Sequence, residues 1–343
     1  DAYTAERLAH EYSTNFSADV MAEADPGGQS FATAGAGQVV VNEAGADQRL
    51  PLVALVHPAP LGLDHFVLAP GCASRHPQHM TREFLLYGLQ LLQRSTRLDF
   101  RLLFNSLGTC PAANHFHYHG LYLDQVQYLS AKFPVEDVGR SNIAGQCKQG
   151  GVTIDMLHES TWYMRGFVLS AGSKVGAAGK DPPADIEVLA TVAMRLISML
   201  QVKNVPHRLL LCPPPPERKR ARGSGRASLG GGRPGDAAAG GAGAAEEASS
   251  PEIYILPQRP GSARPGGGPA LDASAAGAMG IISACSAAEF QAVTEESVRA
   301  YFMDAVSLPD KDFDELICDF AWFGVTSPVE EDEEVADYAC AIS

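Results

Sequence analysis

The stretch Asn114-His115-Phe116-His117-Tyr118-His119-Gly120 decides how we expect this chain to fold. It places three of the chain's ten histidines at alternate positions. Alternate side chains of a β-strand point to the same face and lie roughly 7 Å apart. We therefore predict a strand over residues 115–123 that carries a row of imidazoles on one face and packs Phe116 and Tyr118 on the other.

Three imidazoles in a row support more than one kind of chemistry. Imidazole is neutral near physiological pH, nucleophilic and able to carry protons, so the row suits covalent phosphoryl or nucleotidyl transfer. A metal site is an alternative to which Cys72, His76 and His79 could add ligands, but the paired-ligand spacing of structural zinc sites is missing. A strand that merely turns polar side chains to solvent is the remaining interpretation. We predict that the chain uses neither a metal ion nor another cofactor.

The composition of the 343-residue chain argues against several classes of protein. Its net charge of −14 disfavours a general nucleic-acid binder, because attraction to phosphates supplies most non-specific affinity. No apolar run approaches the roughly eighteen residues of a membrane span, and the N-terminus does not resemble a secretory signal. The seven cysteines are scattered without a Cys-x-x-Cys pair, which fits a reducing compartment. We expect a soluble cytoplasmic protein.

Changes in composition divide the chain into an arm, a body and a tail. Residues 1–30 are polar and weakly patterned, residues 31–325 have the pattern of one globular domain, and residues 326–343 form an acidic tail. Within the body, residues of about 213–250 are dominated by Gly, Ala, Pro, Ser and Arg. That stretch has almost nothing to bury, so we predict a disordered insert in a loop. Its basic run at 218–222 fits a solvated loop better than a nuclear signal or an anion-binding patch.

The hydrophobic pattern of the body predicts an α+β fold. β-branched, aromatic and leucine-rich runs predict strands at 52–57, 66–69, 101–105, 115–123, 166–170, 208–212 and 252–256. Apolar residues at helical spacing predict a helix after Thr81, a second after Asp185, and two more at 294–306 and 310–323. We expect a mainly antiparallel sheet with helices packed on one face, and a hairpin of strands 208–212 and 252–256 that flanks the insert.

Two segments upstream complete a constellation with the histidines. Asn105-Ser106-Leu107-Gly108 ends a predicted strand, where the glycine permits a tight turn and the asparagine can donate to a phosphate or a ribose. His65 opens an earlier short strand that ends at Pro70. Together these segments resemble the histidine-triad superfamily of nucleotide hydrolases and transferases, which implies a histidine-triad-like fold.

Further matches narrow the resemblance to the GDP-hexose phosphorylases, over residues of about 30–325 without the insert. The matching segments are Phe104-Asn105-Ser106-Leu107-Gly108, Asn114 through Leu123, Phe133-Pro134-Val135-Glu136, Arg165-Gly166-Phe167 and Ile255-Leu256-Pro257-Gln258. The triad segment is specific, whereas the outlying matches are short. The N-terminal block that such enzymes carry before these segments is absent here, and the sequence leaves open whether the chain is a fragment.

The resemblance implies a double displacement. His117 attacks the α-phosphorus of a GDP-hexose and expels hexose 1-phosphate, and inorganic phosphate then removes the guanylyl group as GDP. His115 and His119 act as supporting donors in this scheme. Substrate contacts are expected from Asn105, Gly108, Asn114 and His65, although Asn114 could instead end the loop in an Asx turn and His65 could be a core histidine. Pairing of two sheets into a homodimer is left open.

The third triad position bears on the choice of substrate. Plant members of the family typically carry glutamine there, whereas His119 matches the animal pattern, which favours GDP-D-glucose over GDP-L-galactose. The histidine also resembles that of triad hydrolases, so transfer to water is one alternative. A guanine-nucleotide-binding protein that has lost activity is the other, motivated by the missing block and the long insert.

Overall fold

A computed structural model describes the chain at residues 32–33, 38–41, 52–57, 60–62, 64–70, 76–109, 115–126, 129, 131–142, 148–149, 151–157, 160–171, 186–214, 251–261, 274–283 and 286–326. The predicted arm, nearly all of the predicted insert and the acidic tail lie outside these residues, and so do Cys72 and Asn114. The division into arm, domain and tail therefore stays a prediction.

One antiparallel sheet of twelve strands organises the described residues. The strands are β1 Ala32–Thr33, β2 Gln38–Val41, β3 Leu52–Val56, β4 Phe66–Pro70, β5 Phe100–Asn105, β6 Tyr118–Tyr122, β7 Arg140–Asn142, β8 Lys148–Gln149, β9 Val152–Leu157, β10 Phe167–Ala171, β11 His207–Cys212 and β12 Glu252–Pro257. Their order is β1-β2-β3-β4-β6-β5-β11-β12-β10-β9-β7, and β8 also pairs with β9. β11 and β12 pair with each other on either side of the insert, as predicted. The antiparallel α+β fold is confirmed.

The helices lie outside the sheet at α1 Arg82–Arg94, α2 Ile186–Val202, α3 Ala275–Ala278, α4 Ala287–Ala292, α5 Glu295–Ala300 and α6 Asp310–Thr326. Short 3-10 turns occupy Leu123–Gln125 and Pro134–Asp137. The predicted helix at 294–306 divides into α5, capped by Thr294, and a π-helical turn at Tyr301–Val306. None of the helices within the described ranges is both long and apolar enough to cross a membrane.

The long helices pack on one face of the sheet, as the sequence predicts. α1 begins where the Thr81 hydroxyl accepts a hydrogen bond from the Phe84 amide, and its apolar stripe of Leu85, Leu89 and Leu92 is buried. Gly88 lies inside this helix and faces the sheet, where a Cβ would come within 2.9 Å of Leu211 Cδ1. α2 and α6 extend the same hydrophobic core. The glycine therefore allows α1 to approach the strands closely.

The opposite face of the sheet is also buried, by shorter elements. Leu103, Leu121 and Leu210 lie in a second hydrophobic core together with residues of α3 and the π-helical turn. The sequence predicts helices on one face only, which holds for the long helices. Segments as short as α3 carry too few apolar positions to show a helical stripe, so the cover of the second face escapes prediction.

Gly120 offers a test of how tightly β4 and β6 pack. A Cβ at this position would lie 2.3 Å from Phe66 Cε2, within the core beside His119. We expect Gly120→Ala to lower the free energy of unfolding by about 1–3 kcal/mol, measured by urea titration, because the ring must leave its rotamer. Adding Phe66→Leu should recover part of that loss, since the smaller side chain makes room. A Gly120→Ala variant as stable as the original protein would contradict this packing.

Candidate active site

The predicted strand of the histidine row begins later than expected. His119 lies in β6, where it pairs with Val67 of β4 and Leu103 of β5. β6 starts at Tyr118, so His115 and His117 precede the strand, and the prediction of a strand from residue 115 is wrong there. The physical reason is that the His117 amide donates to the side-chain oxygen of Gln78, at 2.9 Å, instead of extending the sheet.

The alternation of the stretch survives this change. Phe116 stacks on Phe84 of α1 with ring centroids 3.9 Å apart, and the buried Tyr118 hydroxyl donates to the Phe84 carbonyl at 2.8 Å. Phe116 and Tyr118 are therefore packed in the core, as predicted, and the structure shows that α1 covers them. The rings of His117 and His119 lie next to each other, with centroids 5.0 Å apart.

The ring of His117 is held in one tautomer. Its Nδ1 lies 2.8 Å from the His115 carbonyl oxygen, which can only accept, so Nδ1 carries the hydrogen and Nε2 has a bare lone pair. Burial lowers the pKa of His117, and this effect outweighs the contact with the His115 carbonyl, which raises it. A buried neutral imidazole with a free Nε2 is the protonation state that a nucleophile requires.

The ring of His65 sets the tautomer of His119. The Leu61 amide donates to His65 Nδ1 at 3.1 Å, so the hydrogen of the neutral ring is on Nε2. That Nε2 lies 3.2 Å from His119 Nδ1, which therefore accepts and leaves its own hydrogen on Nε2. Burial, reinforced by neighbouring histidines, lowers the pKa of His65 to about 2 and that of His119 to about 3. His119 is thus a neutral ring that donates through Nε2.

His57 joins these two rings, and the sequence analysis missed it. It follows β3, stacks on His65 with centroids 4.1 Å apart, and donates its backbone amide to the His65 carbonyl at 3.2 Å. The signal in the sequence is a histidine at each end of the connection between two predicted strands. An antiparallel hairpin of those strands places the two rings opposite each other.

His57, His65 and His119 have the spacing of a metal site, since one ring nitrogen from each lies within 4.8 Å of the others. A metal ion needs an unprotonated nitrogen from every ring. The nitrogen by which His65 faces His119 carries a hydrogen, because the Leu61 amide occupies Nδ1. Metal binding would therefore break the Leu61 hydrogen bond. The described contacts fit a chain of hydrogen bonds better than a metal centre.

Asn105 and Gly108 lie at the end of β5 and in the turn that follows it. Asn105 is the last residue of β5, and its buried Oδ1 has no hydrogen-bond partner among the described residues. Gly108 has a φ of +86°, and a Cβ there would also lie 2.8 Å from Pro206 Cγ, so the position requires glycine. Gln258 donates to the Gly108 carbonyl at 3.2 Å and fixes the loop further.

The structure brings most of the predicted site residues together. His65, His117 and His119 are linked as described above, while the contact shown for His115 is made by its carbonyl and not by its ring. Asn105 joins them because Gln78 donates to both the Asn105 and His117 carbonyls. Asn114 falls outside the described residues. Gln78 is the second residue that sequence reasoning missed, and no local pattern marks it.

The buried histidines predict a loss of stability in acid. Burial lowers the pKa values of His65, His119 and His207, the last to about 4, below the 6.5 of an unfolded chain. Below pH 6.5 the unfolded chain therefore binds protons that the folded chain does not, so the free energy of unfolding falls as the pH falls. Each ring contributes up to about 1.4 kcal/mol per pH unit. Urea titrations at neutral pH and near pH 5 should show this decrease in the free energy of unfolding, and His65→Asn should make it smaller. A free energy of unfolding that does not change between these pH values would contradict the lowered pKa values of these buried rings.

Comparison with known protein families gives a match over part of the predicted domain. Residues 32–121 match the family described as GDPGP1-like, N-terminal domain. This range contains His57, His65, Asn105 and the whole histidine stretch.

Curated relatives match over limited segments. GDP-D-glucose phosphorylase 1 of Xenopus laevis is 34% identical over 77 residues, which cover 22% of this chain and 19% of the relative. The human protein of the same name is 35% identical over 85 residues, covering 25% and 20%. GDP-L-galactose phosphorylase 2 of Arabidopsis thaliana is 28% identical over 161 residues, covering 47% and 32%. The matched segments thus span about a fifth to a third of these relatives' lengths.

Among solved structures, the chain is similar to yeast Ap4A phosphorylase Apa2 in complex with Ap4A. The two are 13% identical, with a TM-score of 0.45, and the similarity covers 75% of each chain.

Proposed function

We propose that this chain is a GDP-hexose phosphorylase that converts GDP-D-glucose and phosphate to glucose 1-phosphate and GDP. The family match over residues 32–121 and the partial matches to GDP-D-glucose and GDP-L-galactose phosphorylases support this proposal. The observation that carries the proposal is the ring of His117, which is buried and neutral and keeps a bare Nε2 because the His115 carbonyl holds Nδ1. Such a ring is prepared to form a covalent bond to phosphorus.

The first step forms a guanylyl-histidine. The Nε2 lone pair of His117 attacks the α-phosphorus, a P–N bond forms, and the bond from that phosphorus to the bridging oxygen breaks. The electron pair leaves with the oxygen as hexose 1-phosphate. The ring gains positive charge during attack, and the His115 carbonyl stabilises it through Nδ1–H at 2.8 Å.

The second step returns His117 to its starting state. An oxygen of inorganic phosphate attacks the α-phosphorus, the P–N bond breaks, and GDP leaves while the electron pair returns to Nε2. His119 donates through Nε2–H to an oxygen of the transferring group, because His65 fixes its tautomer. In the first displacement a neutral ring attacks the anionic diphosphate, and in the second the phosphate displaces a positively charged ring, which leaves as neutral imidazole. Each of these steps is easier than direct attack of inorganic phosphate on the anionic diphosphate.

The remaining predicted residues are proposed to hold the substrate. The Asn105 Oδ1 is a buried acceptor without a described partner, so it suits a ribose or sugar hydroxyl. Gly108 lets the loop backbone approach a phosphate closely, and Asn114 and the ring of His115 are proposed to add donors. Homodimer formation and a cytoplasmic location remain proposals as well.

The choice of sugar and acceptor rests on His119. A histidine in the third position favours GDP-D-glucose, with GDP-L-galactose as the runner-up, and it is also the feature that favours a hydrolase. The test incubates the protein with GDP-D-glucose, GDP-L-galactose or GDP-D-mannose, with and without phosphate. We expect phosphate-dependent release of GDP, fastest from GDP-D-glucose. Release of GMP without phosphate would favour a hydrolase, and nucleotide binding without turnover would favour an inactive binding protein.

A further inference from the structure

The backbone of His117 lies just beyond the end of the sheet. The register that pairs His119 with Leu103 would next pair His117 with Asn105, but β6 begins only at Tyr118. Buried backbone amides and carbonyls require hydrogen-bond partners, and His117 is only 8% exposed. The backbone amide and carbonyl of His117 therefore need hydrogen-bond partners from outside the sheet.

One side chain supplies those partners. Gln78 is 1% exposed, and its Oε1 accepts from the His117 amide at 2.9 Å. Its Nε2 donates to the His117 carbonyl at 3.2 Å and to the Asn105 carbonyl at 2.9 Å. The Gln78 carboxamide thus takes the place of the backbone hydrogen bonds that would pair His117 with Asn105, and it connects the backbones of these two residues.

The segment that carries Gln78 is itself held in place. The His76 carbonyl accepts from the Phe116 amide at 2.8 Å, one residue before His117. On the other side, Gln201 of α2 accepts from the Met80 amide at 3.0 Å and donates to its carbonyl at 3.2 Å. Residues 76–80 therefore connect the histidine stretch to a long helix. Gln78 is fixed from both ends.

We propose that Gln78 is a positioning residue for His117. The proposal rests on the proposed nucleophilic role of His117. By holding both backbone groups of His117, the carboxamide fixes the Cα from which the ring projects, while the His115 carbonyl fixes the rotation of the ring. The same side chain sets the distance between the nucleophile and Asn105, the candidate substrate contact.

The expected effect of losing this contact falls on turnover more than on substrate affinity. A misplacement of about 1 Å between reacting groups can cost about 10²-fold in rate. We expect Gln78→Met, which has similar length but no donor and only a weakly accepting sulfur, to lower kcat by about 30- to 300-fold and to change KM less than about threefold. The matched control is Gln93→Met on the exposed side of α1, which should leave both parameters unchanged.

A second variant separates positioning from a loss of packing. In Gln78→Glu, a protonated carboxyl can still accept from the His117 amide and donate to one carbonyl, whereas an ionised one faces two carbonyl oxygens. Burial raises the pKa of such a carboxyl. The kcat of Gln78→Glu should therefore fall as the pH rises through that pKa, while the profile of Gln78→Met parallels that of the original protein. A purely structural role would not produce this descending limb.

A third readout does not require turnover. Hydrogen exchange at the His117 amide should be slow in the original protein and at least about tenfold faster in Gln78→Met, because that amide loses its acceptor. If the original protein forms no guanylyl-histidine, the proposed function fails, and this measurement still reports the Gln78 contact. If Gln78→Met does not fold, the pH profile of Gln78→Glu decides. Activity within about threefold of the original in the folded variants, with no new pH limb, would overturn the proposal.

Discussion

Replacing His117 by asparagine is expected to lower phosphate-dependent release of GDP by about 10⁴-fold or more. The asparagine amide nitrogen has no available lone pair, so the P–N bond of the first displacement cannot form. Among the linked rings of His65, His117 and His119, only His117 has its Nδ1 held by a carbonyl and keeps a bare Nε2. His207 has a similar contact to the Val205 carbonyl at 3.1 Å, but it is only 1% exposed and begins β11. The measurement is the rate of GDP formation from GDP-D-glucose at saturating phosphate.

The matched control for this prediction is His115→Asn. The contact that the structure shows for His115 is made by its carbonyl, which the substitution retains, so a smaller loss of about 10²-fold is expected. Both variants should keep their far-ultraviolet circular dichroism and bind GDP. Equal activity in His117→Asn and the original protein would rule out His117 as the nucleophile.

Replacing Arg101 by methionine is expected to lower the free energy of unfolding by about 3–5 kcal/mol. The two side chains of the Arg101–Glu136 pair are only 4% and 8% exposed, and Arg101 donates from Nε and Nη2 to the two carboxylate oxygens at 2.9 and 2.8 Å. Arg101 Nη1 also donates to the carbonyls of Leu98 and Phe100. The substitution leaves a buried carboxylate uncompensated, and a urea titration measures the cost.

Two further variants check the cause of this loss. Combining Arg101→Met with Glu136→Leu removes both charges and should restore much of the stability. Arg82→Met breaks an ion pair with Glu187 in which both side chains are about half exposed, so it should cost at most about 1 kcal/mol. Equal losses from Arg82→Met and Arg101→Met would contradict the role given to burial.

The Arg101–Glu136 ion pair also gives a structural role to a matched segment for which the sequence alone indicates none. The segment Phe133-Pro134-Val135-Glu136 resembles the GDP-hexose phosphorylases in sequence, but the sequence alone does not show what its residues do. In the structure the Glu136 carboxylate accepts from the Phe133 amide at 2.8 Å, closes the short turn at Pro134–Asp137 and binds Arg101 of β5. Its partner lies 35 residues away, so no local pattern could identify it.

Local patterns predict much of the fold and part of the site. Alternation places Phe116 and Tyr118 in the core, and helical spacing with Thr81 as cap places α1. The start of β6 is predicted wrongly, because the His117 amide donates to the Gln78 side chain instead of to a neighbouring strand. Such a replacement depends on a segment 39 residues away and leaves no mark on the periodicity of the strand. The partnership of His57 and His65 needs only a hairpin, and it could have been predicted.

We expect His117 to carry the guanylyl group during turnover, and intact-protein mass spectrometry detects this adduct. The protein is mixed with GDP-D-glucose in the absence of phosphate, its mass is measured, and the modified peptide is sequenced. We predict a mass increase of one guanylyl group, located on His117 and absent in His117→Asn. Adding phosphate should remove the group and release GDP. Phosphate-dependent turnover without such an adduct, or an adduct on another residue, would rule out His117 as the carrier of the guanylyl group.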